Sequence, residues 1–377
     1  MGINDLMFYF TSYLGINPAH GCNLGCGYCV LEKDHPVPDK VVKDATAKFT
    51  LDAILQSDDI GKTNPVAFYN LSDPFLKQNI DDLMFILEGM EEHGYQNPVV
   101  LITKLNPERV KPKERILQRI AEFKNIKPVI MVTYANVPRE IEPVSKNGRL
   151  ELMARSKELG IPIVQYGRPL WEKWTPIDKV KEMVKETADK VDAVVISGVV
   201  VSDSIKAKLI TRNVPIPPWD NRKGRYIKRK YQDAIVNEYK RVNPDLGVFV
   251  NSSCGISAAL KIPHYMGYQW HFKRAYNGDY CPRPCSAGQR EICHSAEPSI
   301  KCYGEDQKEL HEGERKKVKQ WLEKFDARRA MFSIMDGYVV AFARFGGQEV
   351  RKMRQHTGVY LYYHNNIKTL RSGEMFK

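Results

Sequence analysis

Ile16-Asn17-Pro18-Ala19-His20-Gly21-Cys22-Asn23-Leu24-Gly25-Cys26-Gly27-Tyr28-Cys29 sets three cysteines at C-x3-C-x2-C spacing, directly after an apolar run. Thiolates this close in sequence wrap one small metal centre and cannot reach two distant ones. Three of them leave one iron of a [4Fe–4S] cube without a protein ligand, whereas four close the cluster. An open iron can bind a ligand and pass an electron to it. A zinc knuckle is the rival, with His20 or His35 as a fourth ligand, although structural zinc prefers paired ligand spacings. Buried free thiols are the other alternative. Gly21, Gly25 and Gly27 let the loop fold tightly round a cluster, a freedom that inert core cysteines do not need.

The run is similar to the signature of the radical S-adenosylmethionine (SAM) superfamily. Residues 16–22, Tyr28-Cys29 and the later Ser72-Asp73-Pro74-Phe75 together resemble its spore photoproduct lyase-like branch. The resemblance implies that Cys22, Cys26 and Cys29 hold a [4Fe–4S] cluster whose free iron chelates the amino and carboxylate groups of SAM. An electron from the cluster would then break the sulfonium C–S bond, giving a 5′-deoxyadenosyl radical that abstracts hydrogen from substrate. Tyr28 matches the aromatic residue that lies against the adenine, and a flavodoxin or ferredoxin would supply the electron. These motifs cover about the first half of the chain, and the C-terminal third resembles no family we can name.

The composition is that of a globular protein, with 43% hydrophobic and 27% charged residues in 377. No apolar stretch is long enough to span a bilayer. The N-terminus lacks the basic, apolar and small-residue pattern of a secretory signal. Eight cysteines without sign of export suggest metal binding in a reducing cytoplasm rather than disulfides. Lys plus Arg exceed Asp plus Glu by 57 to 45, a net +12 that suits a polyanionic partner or merely aids solubility.

Apolar runs at Met7–Ile16, Val66–Leu71, Val99–Thr103, Val129–Tyr134, Ile161–Tyr166 and Ala193–Val200 read as buried parallel strands. Amphipathic segments at Val41–Gln56, Ile80–His93, Glu114–Phe123, Ser145–Leu159 and Ile177–Lys190 alternate with them. The fourth helix is expected to start after Asn147-Gly148. Six successive βα units give a parallel α/β sheet, as a barrel or a doubly wound sheet. The family resemblance favours the partial (β/α)6 TIM-like barrel. We divide the chain into a barrel over 1–202, a connector and barrel-completing segment over 203–253, a Cys-rich segment over 254–303 and a small α+β tail over 304–377. Within the tail, Asp336-Gly337 between two strand-like runs is a hairpin signal.

In a parallel barrel the reactive groups collect where strands end. Asn70, Ser72 and Asp73 end the second strand, where the family contacts the SAM amino group; Asp73 also reads as a simple helix cap. Gln165 and Arg168 end the fifth, and the Arg168 guanidinium fork suits the SAM carboxylate. Ser197 ends the sixth, where a small residue lets the adenine or ribose approach. Cys281, Cys285, Cys293 and Cys302 form a second set, with Cys254 and His294 nearby. They suit an auxiliary [4Fe–4S] cluster, or zinc as a clip. No cysteine lies between Cys29 and Cys254. In the spore photoproduct lyase branch a cysteine in that interval donates hydrogen, so its absence argues against that repair reaction unless Tyr134, Tyr166 or a distant cysteine substitutes.

The expected activity is thus radical SAM chemistry on a nucleotide or nucleic acid, with a peptide or small metabolite as the alternative substrate. An answer of another class is a nucleic-acid-binding protein with structural zinc. Basic and aromatic residues mix in the tail around Arg351, Lys352, Arg354, Tyr360, Tyr362 and Tyr363, as nucleic-acid contacts would need. Glu309, Glu312, Glu314 and Glu323 balance its helix, so a solvated face fits as well.

Overall fold

The structure, a computed structural model, describes residues 6–10, 12–33, 38–57, 60, 65–218, 225–264 and 285–295, single positions at 312, 316 and 320, and strands at 331–335, 338–342 and 361–363. One sheet of eight strands organises the chain: β1 Met7–Tyr9, β2 Leu14–Ile16, β3 Val66–Phe68, β4 Pro98–Thr103, β5 Lys127–Thr133, β6 Ile163–Gly167, β7 Ala193–Ile196 and β8 Gly247–Phe249. Their spatial order is their sequence order. All neighbours are parallel except β1 and β2. A doubly wound sheet reverses strand order at a switch point, and no reversal occurs here.

Without a reversal, right-handed crossovers put the connecting helices on one face of the sheet. These are α1 Ala47–Leu55, α2 Ile80–Glu92, α3 Ile116–Glu122, α4 Lys146–Glu158 and α5 Ile177–Thr187. Strand alternation then divides the core. Val99, Leu101, Ile130 and Val132 pack with helix residues such as Leu83, Ile120, Leu152 and Met183. Val100, Val129, Met131, Val164 and Val195 point the other way and meet Ile256 and Ala259. Both faces are therefore apolar, as parallel strands require. The second is covered by α8 Ser252–Leu260, which follows α6 Asp203–Thr211 and α7 Arg229–Val242.

Sequence and structure differ at several places. Of the expected helix Val41–Gln56, Val42–Lys43 instead pairs with Ala19–His20 and the helix starts at Ala47. Of the expected strand Ala193–Val200, the sheet keeps Ala193–Ile196, while Val199–Val200 pairs with Arg225–Tyr226. The expected first strand, Met7–Ile16, is two antiparallel strands with Tyr9 opposite Leu14; the polar pair Thr11-Ser12 breaks the apolar run between them. α4 begins at Lys146, before Asn147-Gly148, because the Ser145 hydroxyl caps it by accepting from Gly148 N at 3.2 Å. The Cys-rich segment from Cys254 shows little periodicity in its sequence, yet most of α8 and a helix at Ala287–Ser295 lie there. The small residues of Ser252-Ser253-Cys254-Gly255-Ile256-Ser257 hide the helical period and serve close packing. A Cβ on Gly255 would come 2.3 Å from Val195 Cγ2. In the tail, Met331–Met335 pairs antiparallel with Tyr338–Phe342, and Leu361–Tyr363 adds in parallel; Asp336-Gly337 itself lies outside the described residues. The charged segment Gln307–Phe325 and the short segment Glu349–Gln355 read as helices in the sequence; they lie outside the described residues, save for helical backbone at positions 312, 316 and 320.

Glu91, in the last turn of α2, sets the entry to β5. Its carboxylate accepts backbone N–H groups of Lys124, Asn125 and Ile126 at 2.9–3.0 Å. Burial opposes its ionisation, but those donors prevail and hold the carboxyl below its ordinary value. A depressed folded pKa adds stability above the unfolded carboxylate range, and that stability is lost as pH falls through the folded value. Glu91→Gln should therefore cost about 1 kcal/mol at neutral pH, read from urea midpoints, with the gap from wild type closing in acid.

Candidate cysteine-loop site

Loops after β2, β3, β4, β5, β6 and β7 emerge at the same, C-terminal edge of the sheet. The loop after β2 carries Cys22, Cys26 and Cys29, all partly buried and none in a disulfide. Burial pushes the Cys22 thiol up to about 11 and Cys26 up to about 12. Each also feels the neighbouring sulfurs: Cys29 raises Cys22, and both Cys22 and Cys29 raise Cys26. Cys22 and Cys26 are thus protonated at neutral pH without a cation, and any metal taken up there would displace their protons. Among the described residues, no group of three His, Cys, Asp or Glu side chains is gathered tightly enough for a metal ion.

The first half of the loop is fastened to the β3 end. Gly21 N donates to Leu71 O at 3.0 Å, and the Ser72 hydroxyl donates to Gly21 O at 2.6 Å. Asn79 Nδ2 in turn donates to the Ser72 oxygen at 3.1 Å, and Leu71 N is held by Asn17 Oδ1 at 2.9 Å. Gly21 has φ +86° with Lys40 O only 2.2 Å from where a Cβ would stand, so no other residue fits there. Cys22 N donates to Pro38 O at 3.1 Å.

The second half rests on the loop after β5. Gly27 N donates to Ile141 O at 2.8 Å, and the Tyr28 hydroxyl donates to Glu142. Glu142 is a fully buried carboxylate that also takes Arg149 Nη1, with Lys104 Nζ at 3.7 Å. Lys104 lies 5.4 Å from the Tyr28 ring centroid. Burial pushes the Glu142 carboxyl up, against the pull of the Arg149 guanidinium. The Tyr28 ring borders a satellite core of Ile141, Trp171, Trp174, Ile205 and Leu209.

The remaining candidates divide by what their side chains already do. Asp73 is buried, its carboxylate accepting from the Thr103 hydroxyl at 2.8 Å, Lys104 N at 2.8 Å and Phe75 N at 3.0 Å. Burial pushes its carboxyl up, against those donors. Asp73 and Ser72 thus build the edge by joining the ends of β2, β3 and β4. Gln165 is fully buried: its amide donates to Tyr134 O at 3.1 Å and accepts the Tyr239 hydroxyl at 2.6 Å. Tyr239 belongs to the helix-side core, so the Gln165 amide is spent on packing.

Three residues have more to offer a ligand. Both polar atoms of the Asn70 amide are buried without a hydrogen-bond partner, an arrangement that calls for an explanation such as a bound polar group. Arg168 stacks over the Tyr166 ring at 4.3 Å. Among the described residues no carboxylate pairs with it. Ser197, half-buried, lies beside it: its carbonyl accepts Leu170 N at 2.9 Å and its N–H donates to Gly167 O at 3.1 Å. Just after β5, the Tyr134 hydroxyl donates to Glu186 and Asn136 Nδ2 donates to Lys179 O, both on α5.

Sequence reasoning missed Glu142, Arg149 and Arg212. Glu142 and Arg149 lay seven residues apart in what read as loop and helix, with nothing local to signal that they pair. His20, the proposed fourth zinc ligand, holds Asp44 Oδ2 through Nδ1 at 2.6 Å; His35 lies outside the described residues. In the second cysteine set, Cys281 and Cys302 lie outside the described residues. Cys285 and Cys254 pack on the inner core, and Cys293 Sγ accepts from Gln289 Nε2 at 3.2 Å. No helix among the described residues is long and apolar enough to cross a membrane.

Removing one partner from a buried charge group leaves the others unpaired. Glu142→Ala should cost roughly 3–5 kcal/mol, and Arg149→Met a similar amount, while the double variant loses less than the sum. Chemical denaturation of all three proteins checks this.

No protein-family model and no curated protein matches the chain. Among solved structures it matches a cysteine-to-serine variant of spore photoproduct lyase with a TM-score of 0.50 at 14% identity, covering 62% of this chain and 75% of that one. A variant of the same enzyme with bound AdoMet and dinucleoside spore photoproduct gives 0.48 at 15%, over 62% and 75%. SuiB of Streptococcus suis bound to S-adenosylmethionine gives 0.43 at 15%, over 66% of this chain and 52% of that one. At such identities the likeness is one of fold. Over that span the chain shares the fold of spore photoproduct lyase.

Proposed function

We propose that this chain is a radical SAM enzyme, with Cys22, Cys26 and Cys29 as the protein ligands of a [4Fe–4S] cluster and the sheet curled as a partial (β/α)6 barrel around the site. The observation that carries this reading is the place of the cysteine loop. It lies at the C-terminal edge of the parallel sheet, with three thiols, none in a disulfide, on one loop that backbone hydrogen bonds fasten at Gly21, Cys22 and Gly27. Three sulfur donors from a single loop fit a cube with one open iron.

When bound, the cluster supplies the electron that cleaves SAM reductively and so begins hydrogen abstraction from substrate. The chain's own residues bind and orient. Tyr28, fixed by Glu142, would offer its ring to the adenine. Asn70, with its unspent amide, would meet the SAM amino group beside the edge that Ser72 and Asp73 shape. Arg168 would take the carboxylate, and Ser197 leaves room for the nucleoside. Gln165 is left out of this set because its amide is already committed on the helix side.

The substrate we favour is a nucleotide or nucleic acid. It is supported by the likeness to spore photoproduct lyase and by the net charge of +12. A peptide or small metabolite is the second choice, favoured by the clustered C-terminal cysteines, for which an auxiliary cluster held by Cys281, Cys285, Cys293 and Cys302 is part of the proposal. A flavodoxin or ferredoxin is the proposed reductant, in the cytoplasm.

Anaerobic reconstitution tests the reading. Wild type should hold about eight irons per chain if both clusters form, and Cys22/Cys26/Cys29→Ala about four fewer. Only wild type should release 5′-deoxyadenosine from SAM under dithionite. Zinc in place of iron, or intact SAM with a fully loaded protein, would refute it.

A further inference from the structure

Arg212 is 187 positions from the cysteine loop and yet reaches it. It follows α6, whose Ile205 and Leu209 pack in the satellite core that the Tyr28 ring borders. Its Nη2 donates to Gly25 O at 2.8 Å, inside the Cys22–Cys26 interval. Its Nη1 donates to Glu140 O at 3.0 Å and lies 3.4 Å from Ile141 O. The guanidinium also lies against Gly27, with Nη1 3.3 Å from where a Cβ would stand. One planar fork therefore bridges the cysteine loop and the loop after β5, beside the Gly27 N–Ile141 O bond.

From this geometry we infer that Arg212 is a positioning residue: it locks the Gly25–Cys29 half of the loop so that Cys26 and Cys29 are held ready for their metal group. The inference rests on the metal-binding role given above to the triad. The first half of the loop has ties to Leu71, Ser72 and Pro38, whereas the second half, beyond Gly27 N–Ile141 O and Tyr28–Glu142, takes a further fastening from a residue far along the chain. Glu140 contributes its backbone carbonyl here, so any side chain at 140 would serve. A lysine at 212 would not, because one ammonium cannot reproduce the two divergent donors of the fork.

Two measurements decide it, on wild type, Arg212→Met, Arg212→Lys and a control, Arg241→Met, whose guanidinium pairs with Glu238 on its own helix. In iron-free protein, amide hydrogen exchange at residues 25–28 should quicken in both Arg212 variants, and stay as in wild type at 21–22 and in the control. In reconstituted protein, iron of the N-terminal cluster should pass to a chelator about tenfold faster in both Arg212 variants, as when outer-shell partners of metal ligands are lost. Unchanged exchange in Arg212→Met overturns the inference, as does full rescue by lysine. Should Arg212→Met not fold, Arg212→Lys carries the same comparison. Failure of wild type to take up iron would defeat the functional proposal, while the exchange measurement would still judge the brace.

Discussion

The carboxylate of Glu142 has no water to turn to, and that condition orders the whole cysteine edge. Buried in a setting that disfavours its charge, it needs the Arg149 guanidinium, the Lys104 ammonium and the Tyr28 hydroxyl around it. Those partners come from α4, from the end of β4 and from the cysteine loop itself. Satisfying one ion therefore fixes three pieces of chain relative to one another. Such a group adds little net stability over an apolar core of the same shape, because desolvation offsets attraction. What it contributes is geometry, since each partner must stand where the carboxylate can be reached.

The same economy runs along the edge. Asp73 gathers Thr103, Lys104 and Phe75, and Ser72 reaches across to Gly21. These side chains form the rim on which ligands would lie, and their polar atoms are consumed in doing so. The groups left over, Asn70 and Arg168, differ in kind. One has an amide sealed from water without a partner; the other is a cation laid on an aromatic face, with no carboxylate among the described residues to pair with it. A site built from rigid, satisfied supports and a few unspent donors is suited to bind a polar ligand without first rearranging.

Much of this was legible in residues alone. Continuous Val, Ile and Leu runs marked the strands, because parallel strands bury both faces. The cysteine spacing put three thiols on one loop, because residues three and four apart cannot be carried to different edges of the sheet. The helix at Ser252–Leu260 was not legible, since its small residues answer to the sheet it presses on and not to a helical stripe. Gln165 was misleading for a related reason. Its position at a strand end suggested a ligand contact, but strand alternation turns its amide towards Tyr239 on the helix side.

By itself the sequence determined the sequential α/β order of the chain, the identity of the three thiols and their place after the second strand, because these are matters of local pattern and spacing. Only the tertiary structure decided that the strands lie side by side without a reversal, that Glu142, Arg149 and Lys104 meet beneath Tyr28, and that Arg212 grips Gly25. Those contacts join segments that lie far apart along the chain. Their energy comes from burial and desolvation, which exist only once the chain has closed around them.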